Sequence, residues 1–179
     1  MAPLITAWGV GLVLALLGHA LFRLTPLALE PWERGMTTTQ QIVFVAWALF
    51  MAYAEGYRGF QKKFSPRVVA RAFYLGENPT PLRVLLALPF CMSLFHTTKR
   101  QRIVSWGFIV ALVGVIIAVR FLPQPWRGIV DGGVVVGLGW GAISIVLFYL
   151  RGLSGNPPPV PDLPESAGVE TSSALGEPG

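Results

Sequence analysis

The sequence predicts an all-α integral membrane protein with four transmembrane helices in two hairpins, a short fifth hydrophobic helix and a disordered C-terminal tail. Only 13% of the 179 residues are charged and 53% are hydrophobic, whereas about a quarter of an ordinary soluble domain is charged. The apolar residues also form long runs without the alternation of membrane strands. About 20 helical residues cross the ~30 Å hydrocarbon layer of a bilayer, and these runs approach or reach that length.

The four predicted spans are the longest apolar stretches of the chain. The first is free of charged residues, and no Lys or Arg precedes it, so we expect a retained helix rather than a cleaved signal. The second contains Glu55 and Arg58, and few polar groups interrupt the other two. The four predicted helices cover residues 3–22, 42–60, 103–122 and 129–150.

The fifth hydrophobic segment, residues 81–97, is ambiguous between a span and a re-entrant or buried helix. Thr80-Pro81 is typical of a helix start. The uncharged core, residues 84–95, is 12 residues long and contains Pro89, which suits a short helix better than a crossing. The whole segment would nevertheless reach about 25 Å if it were fully helical.

The distribution of basic residues favours four spans. If the fifth segment does not cross, ten of the 14 Lys and Arg residues lie on one side and four on the other; if it crosses, the split is eight to six. The positive-inside rule prefers the ten-to-four arrangement. We therefore expect a multi-pass protein of the cell (inner) membrane with both termini in the cytoplasm.

Two similar turns support the same topology. Residues 30–35 read Glu-Pro-Trp-Glu-Arg-Gly and residues 124–128 read Gln-Pro-Trp-Arg-Gly, each after the first helix of a hairpin. With four spans both turns face outward, where Trp32 and Trp126 can lie at the level of the headgroups. The resemblance indicates a weak internal repeat, which is common in membrane folds.

A basic segment, residues 56–76, separates the two predicted hairpins. Ser65-Pro66 predicts a helix start inside it and Gly76 a helix end, which gives an amphipathic helix suited to the membrane interface. Four cations are candidates for binding anionic headgroups or a partner: Lys62, Lys63, Arg67 and Arg71. The positive-inside rule alone also explains such a cluster, and this is the interpretation we favour. A nucleic-acid partner is not expected, because the basic residues flank predicted spans.

The chain divides into a helical membrane domain, residues 1–151, and a tail, residues 152–179. The tail is rich in Pro and Gly, and it contains four acidic residues and no Lys or Arg. Such a composition buries too little apolar surface to offset the entropy lost on ordering, so we expect disorder.

Small residues at helical spacing form the clearest packing signal. In lipid, such residues allow helix backbones to approach closely. We therefore expect tight packing of the last two predicted helices, whereas a pore lined by glycines is a less favoured alternative. The packing candidates are Gly107, Ala111 and Gly114 in one helix, and Gly133, Gly137 and Gly141 in the next.

Charged residues within predicted spans are the main functional candidates, because a charge in hydrocarbon is costly unless it is paired or hydrated. Glu55 and Arg58 are three residues apart and can neutralise each other on one helix face; Glu55 is alternatively a proton or cation site. Near the second outer turn, Asp131 can pair with Arg120 and hold the hairpin together.

No catalytic residue, cofactor or metal site is predicted. The sequence contains no phosphate loop, dinucleotide fingerprint, H-E-x-x-H helix, cysteine pair or nucleophile elbow. The favoured function is a non-enzymatic accessory, assembly or scaffold subunit of a membrane complex, with the lipid bilayer and other membrane proteins or further copies of the chain as partners. The alternatives are a small transporter or channel that uses Glu55, and a lipid-acting enzyme at the basic cytoplasmic face.

Overall fold

The computed structural model describes residues 2–95 and 97–156, apart from the side chains of Phe108 and Ala111. Within these ranges 86% of the residues are helical and none lies in a strand, which confirms the all-α class. The predicted tail lies outside the described residues from residue 157 onward. The helices are α1 (Ala2–Glu33), α2 (Thr38–Met51), a π-helical segment (Ala52–Phe64), α3 (Ser65–Glu77), α4 (Pro81–Leu85), α5 (Ala87–Cys91), α6 (Lys99–Arg120) and α7 (Trp126–Leu153).

Three of these helices, α1, α6 and α7, are each long and apolar enough to cross a membrane. Their bounds extend beyond the predicted apolar stretches at most ends. The extension of α6 includes the charged residues Lys99, Arg100 and Arg102, because the Thr98 hydroxyl accepts a hydrogen bond from the Gln101 backbone amide and caps the first turn. Caps of this kind satisfy backbone donors that have no partner within the helix.

α2, the π-helical segment and α3 follow one another without a break and form a continuous rod over residues 38–77. The rod begins at a capping box, in which the Thr37 amide donates to Gln40 Oε1 at 3.0 Å and the Gln40 amide donates to Thr37 Oγ1 at 3.4 Å. Pro66, the second residue of α3, does not interrupt the rod.

α1 runs antiparallel to both the rod and α7. Gly76, near the end of the rod, lies against Ala2 and Thr6 at the start of α1, whereas Gly128, at the start of α7, lies against Pro31 near the end of α1. The core of this bundle consists of apolar side chains from α1, α3, α5 and α7. Its fully or nearly fully buried members include Val10, Val13, Val68, Leu75, Phe90 and Ile145.

The ambiguous segment, residues 81–97, forms two five-residue helices, α4 and α5, rather than one long helix. α4 ends at Leu85, and the proline ring of Pro89 clashes with the carbonyl of the residue four positions earlier in a continuous helix. That residue is Leu85, so the break falls where the proline requires it. Both helices lie beside the first third of α1: the Trp8 indole donates to the Val84 carbonyl at 3.3 Å.

α6 packs only sparsely on the rest of the described chain. At its start the Trp106 indole donates to the Leu94 carbonyl at 3.3 Å. At its end, the Gln124 side chain, in the turn to α7, donates to Glu30 Oε2 at 2.8 Å. α6 therefore runs parallel to α1 along the bundle, and none of its described side chains is buried.

Candidate functional sites

The small-residue face of α7 is filled by side chains of the rod. A Cβ atom at Gly137 would lie 3.0 Å from Glu55 Oε2, and one at Gly141 would overlap the Phe60 ring. These close approaches leave no room for a side chain at either glycine position. The α7 glycines that face the rod are Gly132, Gly133, Gly137, Gly141 and Gly152. The face thus serves close packing between helices of the same chain.

The corresponding face of α6 is open, which differs from the expectation that α6 and α7 pack tightly together. At both Gly107 and Gly114, no described side chain and no other described helix lies within 4 Å of the position that a Cβ would occupy. Ala111 belongs to the same helix, but its side chain is not among those described. The α7 glycines that meet the rod, among them Gly133, Gly137 and Gly141, are not available to α6.

Glu55 lies in the π-helical segment, close to the middle of α7. Its side chain is half-buried and packs on the backbone of Gly137. Within the described chain it forms no ion pair with Arg58, which is exposed.

The winding of the segment explains why the expected pair does not form. A π-helix has i→i+5 hydrogen bonds, so residues three apart no longer share a face as they do in an α-helix. The neighbours are instead four or five residues apart. The rings of Tyr53 and Tyr57 stack at 6.0 Å, and Lys62 Nζ lies 4.6 Å from the centre of the Tyr57 ring.

The outward flank of the π-helical segment is polar. Arg58, Lys62 and Lys63 are exposed there. Beside them, the Trp140 indole of α7 donates to Gln61 Oε1 at 2.8 Å. The rod therefore combines a flank packed on α7 glycines with a basic flank that faces away from the bundle.

Arg71 is not available to headgroups, which corrects its assignment to the basic surface. Its side chain is fully buried, and its guanidinium donates from Nε to the Phe90 carbonyl at 2.6 Å and from Nη2 to the Phe95 carbonyl at 3.0 Å. The same group lies 4.4 Å from the centre of the Phe90 ring. α5 packs over this flank of α3, and a cation is a favourable partner for the last carbonyls of a helix.

Arg67, one turn earlier, is half-buried, and its Nε donates to the Lys63 carbonyl at 2.7 Å.

Asp131 interacts with Arg127 rather than with the expected Arg120. Arg127 Nε and Asp131 Oδ2 are 3.7 Å apart on successive turns of α7, and Asp131 is only 6% exposed. Arg120 is exposed at the end of α6. The local i,i+4 spacing places Arg127 on the same face as Asp131, whereas Arg120 belongs to a different helix.

Among the described residues, no group of three or more His, Cys, Asp or Glu side chains gathers as a metal site. Cys91 is buried against Gly9 and Ala72 at the centre of the α1–α3–α5 contact.

No protein-family model, curated protein or solved structure matches the chain. The functional assignment therefore depends on the geometry of the helices and their charged residues.

Proposed function

We propose that the protein is a non-enzymatic, multi-pass subunit of a membrane complex, and that α6 is the helix through which it binds a helix of another membrane protein. The observation that carries this proposal is the contrast between two glycine faces. The face of α7 is filled by the rod, whereas the face of α6 at Gly107 and Gly114 is open and belongs to a 22-residue apolar helix. Helix association in lipid depends on close backbone approach, which an open glycine face permits.

The bundle also supports the four-crossing topology. α1, the rod, α6 and α7 run alternately in opposite directions. The end of α1 and the turn between α6 and α7 come together at one end of the bundle through the Gln124–Glu30 hydrogen bond. α4 and α5 lie at the opposite end, beside residues 8 and 9 of α1. In the proposed topology the fifth segment returns without crossing, and the ten-to-four division of basic residues favours a cytoplasmic location for both termini in the cell (inner) membrane.

Co-purification in mild detergent tests the proposed assembly. A partner recovered with the natural chain should be lost from Gly114→Leu, because leucine prevents close approach on α6. Gly139→Leu is the matched control: no described side chain and no other described helix lies within 4 Å of a Cβ at either glycine, so both variants should fold. The absence of any partner from the natural chain, or equal recovery with both variants, would contradict the proposal.

A second candidate function is transport coupled to a proton or cation at Glu55. It is favoured by the location of Glu55 in a π-helical segment beside the middle of α7. π-helical turns are frequent at functional sites, and carboxylates at membrane depth commonly belong to ion or proton pathways. The open α6 face has no part in such a mechanism, so we rank transport second.

A further inference from the structure

A crevice of about 70 Å³ separates the first half of α6 from the rod and from the turn after α5. Its lining includes Val68 and Cys91, which belong to the buried core, so the crevice opens at the edge of the core beside α6. Apolar side chains form most of the lining, with Phe64 and Val68 on the rod, Leu94 on the turn, and Val104 and Ile109 on α6. Such walls suit a hydrocarbon chain better than a small polar ligand.

Polar groups occupy one part of the same crevice. Arg67 of α3 lines the crevice together with Gln101 and Ser105 of α6. The side-chain amide of Gln101 donates from Nε2 to the Ser105 hydroxyl at 3.4 Å. A guanidinium, an amide and a hydroxyl together are hydrogen-bond donors of the kind that bind phosphate oxygens.

The electrostatic field at the crevice is positive. Its lining contains Arg67 and no acidic residue among the described side chains. Lys63 lies one turn before Arg67 on the rod, and Arg100 and Arg102 flank Gln101 on α6; all three are exposed. Positive potential next to apolar walls is the combination that an anionic amphiphile complements.

Ser93 supplies a separate observation at the crevice wall. Its φ is 60°, in the left-handed region that non-glycine residues rarely adopt, and its side chain is 3% exposed. Residues held in such conformations concentrate at active sites and ligand clamps. Here the conformation turns the chain from α5 toward Leu94 and so shapes one wall of the crevice.

From these features we propose that the crevice binds one anionic glycerophospholipid. The phosphate lies at Arg67, Gln101 and Ser105, and an acyl chain follows the apolar surface of Val104 and Ile109. The bound lipid fills the gap between α6 and the rod and fastens α6 to the bundle. This inference rests on the membrane insertion included in the proposed function, but not on any protein partner.

Lipid binding can be measured on the full-length protein purified in mild detergent and freed of lipid. Phosphatidylglycerol and phosphatidylcholine with identical acyl chains are added separately, and bound lipid is counted by native mass spectrometry beside a thermal unfolding curve. We expect one phosphatidylglycerol to bind and to raise Tm, with phosphatidylcholine binding more weakly by about tenfold, the factor that corresponds to one hydrogen bond to a charged group.

Arg67→Gln should remove this preference, and Arg67→Lys should retain part of it. Arg58→Gln is the control, because Arg58 is an exposed cation of the rod that does not line the crevice. Equal binding of the two lipids by the natural protein would overturn the proposal even if Arg67→Gln fails to fold. Equal protection by inorganic phosphate alone would also overturn it, in favour of a site for free anions. Recovery of the natural protein in the soluble fraction would instead contradict the membrane insertion itself.

Discussion

Arg71 illustrates how a single residue can change its role once the chain is folded. On the sequence it is one more cation of a basic segment, and in the structure it is a fully buried link between α3 and the end of α5. A buried charge is tolerated only where hydrogen bonds replace its hydration. The carbonyls of Phe90 and Phe95 and the face of the Phe90 ring provide that environment.

Replacement of Arg71 by leucine should therefore release α5 from the bundle. The two carbonyls would lose charged donors, and leaving buried acceptors unsatisfied costs about 1–3 kcal/mol each. We expect a lower midpoint of unfolding and faster maleimide labelling of Cys91, which is buried in the intact core. Arg58→Leu changes an exposed cation of the same rod and should affect neither measurement. Labelling of Cys91 at the same rate in Arg71→Leu and the natural protein would argue against this role.

Glu55 is the residue at which the two candidate functions differ. Its carboxylate lies against Gly137 without an ion pair in the described chain. If the protein is an assembly subunit, Glu55→Gln should alter stability or partner recovery and leave no ion flux to measure. If Glu55 couples transport, the same variant should fold normally and abolish a proton- or cation-dependent flux in reconstituted vesicles. We expect the first result, and a flux lost at unchanged stability would reverse the order of the two functions.

At the scale of the elements, α6 and α7 show that similar glycine patterns can be packed in one helix and left open in another. Both helices carry small residues at helical spacing, but α7 packs against α1 and the rod, whereas none of the described side chains of α6 is buried. Small residues permit close approach, and the neighbouring helices decide whether that approach takes place within the chain.

The filled face of α7 predicts a sharp dependence on position. Gly141→Leu should destabilise the bundle, because a Cβ there already overlaps the Phe60 ring and overpacking of a core costs about 1–3 kcal/mol or more. Gly139→Leu lies two residues away on the same helix, where no described side chain and no other described helix lies within 4 Å of a Cβ. Thermal unfolding in detergent should separate the two variants, and equal midpoints would contradict the packing described for α7.

At the scale of the whole molecule, the arrangement of the helices predicts which ends lie on the same side of the membrane. The turn before α2 and the turn between α6 and α7 belong to one end of the bundle, and α4 and α5 to the other. The start of α6 and the end of α7 should therefore share the cytoplasmic side under the proposed topology.

Labelling with a membrane-impermeant thiol reagent tests this arrangement in intact cells. Thr38→Cys should react from outside, whereas Lys99→Cys and Ser154→Cys should react only after the membrane is opened. All three positions are exposed, and the natural Cys91 is buried, which limits background labelling. External labelling of both Lys99→Cys and Ser154→Cys would indicate five spans, because a crossing of the fifth segment moves both positions outward.

The all-helical class and the approximate location of the long apolar helices could be predicted from the sequence, because both follow from local properties. Composition identifies the apolar segments, and the length of each segment predicts whether it can cross a bilayer as a helix. The effect of proline is likewise local. Pro89 predicted short helices in the fifth segment, and in the structure the helix is interrupted between α4 and α5. The expected α-helical pairing of Glu55 with Arg58 failed because no sequence signal indicated the π-helical winding that separates them.

By itself the sequence determined the helical class, the apolar segments and the residues able to pack closely or carry charge, since each depends on residue type and spacing along the chain. The tertiary structure decided which of those capacities are used. Gly137 meets Glu55 and Arg71 meets Phe90 only after helices distant in sequence are brought together. The crevice beside Arg67 depends likewise on the gap between α6 and the rod. The physical reason is that close packing and burial belong to pairs of surfaces, so a pattern on one helix cannot specify the surface that it will meet.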